Sequence, residues 1–143
     1  IPPVAEEKTT YTVMNSVSNS FDNVRNVTYT ATLPSYVTWL GKVYPESAAA
    51  NIKYNADKRE ITWSLGDIAP GTGYNSSAKE FAFQLELLPS VSQVGSAPIL
   101  INSQRIAGTD VFTETIVEST APALDTRMES DPKFQFGFEK VVR

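Results

Sequence analysis

A chain of 143 residues, 41% hydrophobic and 20% charged, is long enough to bury one core without metal or disulfide staples and lies far from the composition of disordered segments. Its net charge of −4, with the 12 basic residues scattered singly, offers no footprint for phosphates and no polybasic face for a membrane surface, so nucleic acid and interfacial lipid are set aside as partners. Cysteine and histidine are both absent, which removes thiolate nucleophiles, disulfides, thiolate zinc sites and the commonest general base together.

No run approaches the roughly 18 consecutive apolar residues of a membrane helix. The longest, APILI and FAFQLELL, are of strand length. The chain opens at Ile1-Pro2-Pro3 with neither methionine nor a signal-peptide pattern. It reads as an excised fragment or processed form, with any anchor or export signal expected outside it.

Residues 1–8 are rich in proline and charge and read as a lead-in linker, leaving 9–143 as one folded domain. TTYTVMNSVSN then sets Tyr11, Val13 and Val17 on one face and Thr10, Thr12 and Ser16 on the other, the two-residue period of a half-buried strand. SNSFDN follows as a polar turn. In NVRNVTYTATLP, Val27, Tyr29, Ala31 and Leu33 alternate with Thr28, Thr30 and Thr32, so an apolar face backs a ladder of β-branched threonines. Pro34 ends this strand because it cannot donate to a ladder, and SYVTWLGKVYP carries Val37 and Trp39 towards the next layer.

ESAAAN is long enough for only a turn or two of helix, or a loop. NIKYNADKREITWSLG reads as a hairpin, with Ile52 and Tyr54 on one arm, NADK as the turn, and Ile61, Trp63 and Leu65 on the other. Both tryptophans thus fall at apolar strand positions, where core packing explains them before any ligand platform does. GDIAPGTGYNSSA is a loop built around Pro70-Gly71. KEFAFQLELLP restores the alternation, Phe81, Phe83, Leu85 and Leu87 inward against Glu80, Gln84 and Glu86 outward, until Pro89 stops it. APILINSQRIAG and DVFTETIVES are expected to form a hairpin around Gly108-Thr109-Asp110 with a bulge. DPKFQFGFEKVVR places Phe134, Phe136 and Phe138 on one side, as a last strand completing the core would. About seven or eight strands separated by turn signals predict an all-β, immunoglobulin-like antiparallel β-sandwich.

Several stretches also share an order of landmarks: Tyr11 to Val13, Asn26-Val27, Leu33-Pro34, Trp63 to Gly66, and Pro70-Gly71. Over residues from about 9 to 88, with a continuation through 119, this order resembles the bacterial conserved-repeat domains catalogued as domain of unknown function eleven. The run LPSYVTWLGKVYP with GTGY and KEFAFQLELLPSVSQVGSAPIL is similar to the terminal β-domain of large membrane-anchored surface proteins of uncultured candidate-phylum bacteria. That family often closes its sheet with an Asn-x-Ala strand, which LINSQRIAG matches only loosely around Asn102. The resemblance implies an immunoglobulin-like sandwich outside the cell, in repeats or stalks anchored elsewhere, with no catalytic residues to carry over.

The chemistry-bearing residues agree with a non-enzymatic reading. Ser76 and Lys79 match Ser-x-x-Lys, but they lie between a glycine loop and a strand instead of on a helix N-terminus. Glu114 with Glu118, and Glu80 with Glu86, lie along strands, where a solvated face accounts for them without a glycosidase cleft. Asp22, Asp57, Asp67 and Asp110 fall in turns, and Asp67 and Asp110 are the candidates for a structural calcium ion. An intramolecular Lys–Asn isopeptide bond would draw on Lys8 or Lys79, Asn102 and Glu114. Asn26-Val27-Thr28 and Asn75-Ser76-Ser77 match the glycosylation sequon by chance. The expected role is a non-catalytic structural or adhesive module that spaces or presents its neighbouring domains. The alternative is a carbohydrate- or protein-binding module using Tyr36, Trp39, Tyr44 and Tyr74 as exposed loop aromatics.

Overall fold

The computed structural model describes residues 2–19, 23–72, 79–127 and 134–143. Ten strands are found there: β1 (Thr9–Val17), β2 (Val24–Thr32), β3 (Val37–Tyr44), β4 (Ile52–Asn55), β5 (Glu60–Ile68), β6 (Lys79–Leu87), β7 (Ile99–Ile101), β8 (Ser103–Asp110), β9 (Ile116–Ala121) and β10 (Leu124–Asp125). Eight of them build two antiparallel sheets. One has the order β1-β6-β3 and the other β4-β5-β2-β8-β9, while β7 and β10 form a short separate pair. ESAAAN is a turn of 3-10 helix over Glu46–Asn51, as its length allows.

The period-two pattern decides which face is buried. Across β1 and β6, Tyr11 pairs with Leu85 and Val13 with Phe83 in continuous register, so these side chains leave the sheet on the same side. Across β2 and β5, Tyr29 pairs with Trp63 and Ala31 with Ile61. The two apolar faces meet through aromatic rings. Trp63 lies 4.7 Å from Phe81 and 6.3 Å from Phe83, and Tyr29 meets Phe81 edge-on at 5.1 Å. Ile61, Leu85, Leu87, Leu100 and Ile101 fill the space around them and are fully buried.

The turns follow their residues. Asn55 Oδ1 accepts bonds from the Asp57 and Lys58 amides at 3.0 and 3.2 Å, closing the β4–β5 hairpin at NADK. Arg59, at φ 51°, then reaches across to the corner after β2. Its Nε donates to Pro34 O at 3.1 Å and a terminal nitrogen donates to Val37 O, while its own carbonyl accepts from Leu33 N at 2.8 Å. No sequence pattern marked this arginine, because its partners are backbone carbonyls some twenty residues away.

Two expectations are corrected. The turn of the β8–β9 hairpin does not fall at Gly108-Thr109-Asp110, since β8 runs through all three and the chain reverses after Asp110. Gly108 is there for proximity: a Cβ on it would lie 2.6 Å from Val24 Cγ1 and 2.9 Å from Val27 Cγ2. The bulge expected in this region sits on the neighbouring strand, where β2 gains a residue between Arg25 and Thr28 relative to β8. Asn26 adopts φ 53° within it.

The second correction concerns the C-terminal stretch. Of DPKFQFGFEKVVR, the described residues 134–143 form no strand. They turn at Gln135–Lys140, with Phe138 N bonded to Gln135 O and Lys140 N to Gly137 O, and Phe136 is 86% exposed. Gly137, at φ 101°, breaks the alternation that the three phenylalanines suggest. Only the last residues pair: Val141 and Val142 form parallel bridges to Val94 and Val4. Val142 N donates to Pro3 O at 2.9 Å, Ala5 N to Val142 O at 2.8 Å, and Glu6 N to Pro89 O at 2.7 Å. The opening residues, read as a lead-in, are thus bonded to the end of the chain.

Trp63 is 2% exposed and touches rings from the opposite sheet. Trp63→Ala is therefore expected to destabilise the fold by about 3–5 kcal/mol, whereas Phe136→Ala should stay within about 0.5 kcal/mol. Urea denaturation of both variants checks this, and an unchanged midpoint for Trp63→Ala would refute the core assignment.

Candidate functional site

Three of the four aromatics proposed as a binding platform belong to β3 or the corner before it, and the structure separates their roles. Tyr36 is half-buried, packs on the core, and its hydroxyl accepts a bond from Ile99 N at 3.1 Å. It fastens the β7 segment to the corner before β3. Trp39 is also half-buried and stacks on Tyr54 of β4 at 6.0 Å with an interplanar angle of 19°. Because β3 and β4 are edge strands of opposite sheets, this stack closes one side of the sandwich. Tyr44 is 64% exposed at the end of β3. Tyr74 lies outside the described residues, as do Asp22, Ser76 and the second sequon.

The two aspartates lie at the same end of the five-stranded sheet, on the strands that flank β2. Asp67 precedes Ile68, which pairs with Val24, and Asp110 pairs with Val24 from the other side. Each is engaged locally. Asp67 Oδ1 accepts from the bulged Asn26 N at 3.1 Å, and Asp110 Oδ1 accepts from Phe112 N and Thr113 N at 2.9 and 3.0 Å. Among the described residues no three acidic side chains are grouped to share a cation.

The residues considered for an isopeptide bond do not converge. Lys8 pairs with Glu86 at 3.4 Å. Asn102, whose amide donates to Thr32 O at 2.8 Å, precedes β8, while Glu114 follows it, so the eight residues of β8 separate them. At about 3.3 Å per residue the acid lies far from the asparagine it would have to act beside. Glu118 is held by Arg105, its Oε2 lying 2.7 Å from Nε, as a solvated pair on the β8–β9 surface.

Two polar clusters went unforeseen. Glu139 is 1% exposed. Its carboxylate accepts from Gly137 N at 2.8 Å and lies 3.3 Å from Arg127, and Thr126 Oγ1 donates to its carbonyl. Hydrogen bonding to its own amide and to that of Gly137, aided by Arg127 and Lys140, holds its carboxyl below the usual range despite burial. The second cluster lies inside the sandwich, where Tyr29 Oη donates to Gln104 Oε1 at 2.7 Å. Burial raises the Tyr29 phenol, with the nearby Asn15 amide acting in the opposite sense. Burial pushes the Tyr11 phenol up to about 12. Tyr11 Oη and Asn15 Nδ2 are buried without a hydrogen-bond partner. A polar residue on an otherwise apolar strand face was the available signal for Asn15, since position 15 shares the face of Tyr11, Val13 and Val17.

No family model matches the chain, and no curated protein matches it. Among solved structures it is similar to a variant of BcpA, the major pilin subunit of Bacillus cereus, with 18% identity, 87% of this chain and 36% of that one covered, and a TM-score of 0.53. It is also similar to the full-length major pilin SpaD from Corynebacterium diphtheriae, with 12% identity, coverage of 87% and 32%, and a TM-score of 0.49. What is shared is the immunoglobulin-like fold. The chain spans about a third of the length of these solved chains.

Two pH effects follow. The depressed Glu139 carboxyl contributes stability above its unfolded value, near 4.5, that is lost as pH falls through the folded value. Acid should loosen the C-terminal segment first, and Glu139→Gln should remove this dependence. Amide exchange of residues 139–142 against pH measures it. At the other extreme, the raised Tyr11 contributes stability below 10.0 that disappears as pH climbs towards about 12. Tyr11→Phe should blunt this alkaline loss and, by deleting an unbonded buried hydroxyl, leave neutral-pH stability equal or higher. Tyr29→Phe strips Gln104 of its donor and should cost about 1 kcal/mol. Melting curves at neutral and alkaline pH separate the two.

Proposed function

We propose that this chain is a non-catalytic structural module of a bacterial cell-surface protein, a rigid unit that spaces or presents neighbouring domains of the same protein outside the cell. The observation that carries the reading is the sandwich itself. Its two sheets are joined through aromatic packing, the β3–β4 side is closed by Trp39 on Tyr54, and its fold is similar to that of a major pilin subunit. The conserved-repeat order of landmarks and the similarity to terminal domains of membrane-anchored surface proteins support the same placement, with an anchor in another part of the parent protein. Among the described residues no helix is long and apolar enough to cross a membrane.

Burial weighs against the binding alternative at Tyr36 and Trp39, since both rings are engaged in holding strands together. Of the candidate rings among the described residues, Tyr44 stands out into solvent, and a carbohydrate or protein partner at this site would meet it before Tyr36 or Trp39. Calcium, if bound, would sit at the Asp67 and Asp110 end, where it would brace the loops that flank β2.

A broad glycan array probed with the purified chain, with and without calcium, tests the reading. Silence in both conditions is the expected result. Reproducible binding that Tyr44→Ala abolishes, in a variant with unchanged melting temperature, would replace the spacer with a recognition module.

A further inference from the structure

Four edge strands are exposed by the two main sheets, and three are blunted in the ways that stop chains adding to one another. β3 carries Lys42 and a register break between Trp39 and Val43, with Gly41 at φ 78°. β4 has four residues, including Lys53. β9 carries Glu118, paired with Arg105. β1 is different. Its nine residues, TTYTVMNSV, include no charge, no proline and no glycine, and it pairs with β6 without a bulge. Among the described residues nothing pairs along its other side, so alternate backbone N–H and C=O groups of a nine-residue strand face outward.

Beside this edge the core is open. Two adjoining cavities of about 190 and 170 Å³ share Val17, Ile106 and Ser119 as walls. The larger is lined mainly by aliphatic side chains, among them Val27 and Val117. The smaller contains Asn15 and Gln104, and there the buried Asn15 Nδ2 lacks an acceptor. The cavities exist because the sheets are unequal: β9 extends past β1 with no strand opposite it among the described residues, and all six of its residues are exposed.

We propose that the open edge of β1 takes up one further β-strand, an extended peptide segment that belongs to no other sheet. Such a segment bonds its backbone to β1 and makes the three-stranded sheet four-stranded beneath the β9 overhang. It places an aliphatic side chain against Val17, Val27, Ile106 and Val117. Two residues away, it offers a hydrogen-bond acceptor to Asn15 Nδ2. Alternate residues of a strand point the same way and lie about 7 Å apart, as do Asn15 and Val17 of β1, which line the smaller cavity and both cavities respectively. The overhang also selects the occupant, because a second folded copy brought edge to edge would drive β9 against its own counterpart, whereas a single strand fits below it.

Fluorescence anisotropy of labelled peptides as long as β1, alternating threonine with valine, isoleucine or alanine and ending in lysines, tests this against the intact chain. Saturable binding is expected, with alternate β1 amides gaining protection from hydrogen exchange. Ser119→Arg, which fills the groove from an exposed position, should abolish binding at an unchanged melting temperature. Val117→Asp serves the same purpose should that variant fail to fold, and Thr38→Arg on the opposite edge strand should leave binding intact. Absence of binding by every peptide, binding that both groove variants retain, or protection appearing on β3 instead of β1 would each overturn the proposal. So would concentration-dependent pairing of whole chains through β1.

Discussion

The fold depends on β6. It is the central strand of the three-stranded sheet, hydrogen-bonded to β1 on one side and β3 on the other, so neither neighbour belongs to that sheet without it. Its inward residues Phe81, Phe83, Leu85 and Leu87 are all buried, and the first two carry the ring contacts to Tyr29 and Trp63 across the interface. Backbone pairing and cross-sheet burial therefore converge on one run of nine residues. The period of two is what lets a single strand do both, since its hydrogen bonds lie in the plane of the sheet and its apolar side chains leave perpendicular to it.

The five-stranded sheet meets a different demand, which is to stay paired while it bends. The extra residue in β2 and the compensating shift in β5 beside Gly66 place Asn26 and Gly66 at positive φ, 53° and 75°. Asp67 Oδ1 then bonds the Asn26 amide that the bulge takes out of the ladder, an exposed contact that pins the bulge to β5. Gly108 opposite lets β8 close in on Val24 and Val27. These residues look unrelated in the sequence and act at one spot in the sheet.

The alternating runs were legible because burial of one strand face is a local constraint, repeated every second residue. Tyr29, Trp63 and Phe83 announce their own environment. What escaped the sequence depends on partners distant in the chain. Arg59 finds its acceptors at Pro34 and Val37, and Glu139 is buried only because residues 126–127 come to meet it. Gly108 read as a turn signal because nothing local distinguishes a glycine needed for backbone freedom from one needed for the absence of a side chain. The phenylalanines at 134, 136 and 138 imitate a strand, and Gly137 between them is the residue that undoes it. At the candidate site, aromatic identity was legible but exposure was not. Trp39 could be assigned to an edge only once Tyr54 was known to face it.

The order in which strands join makes the core depend on contacts distant in the chain. Among the main pairings only β4–β5 and β8–β9 link neighbours in sequence; β1 waits for β6, bringing Thr9 to Leu87, and β2 waits for β8, bringing Thr32 to Ser103. The opening residues bond to the last ones through Pro3, Val4 and Val142. Contacts of such sequence separation form late and together, because each must first overcome the entropy of closing a long loop. The same topology leaves no hairpin that holds the core by itself, so partial opening exposes apolar surface without a stable intermediate to receive it. The paired core of the two sheets is therefore lost or kept together, whereas the C-terminal turn around Glu139, which joins neither sheet, can loosen before it.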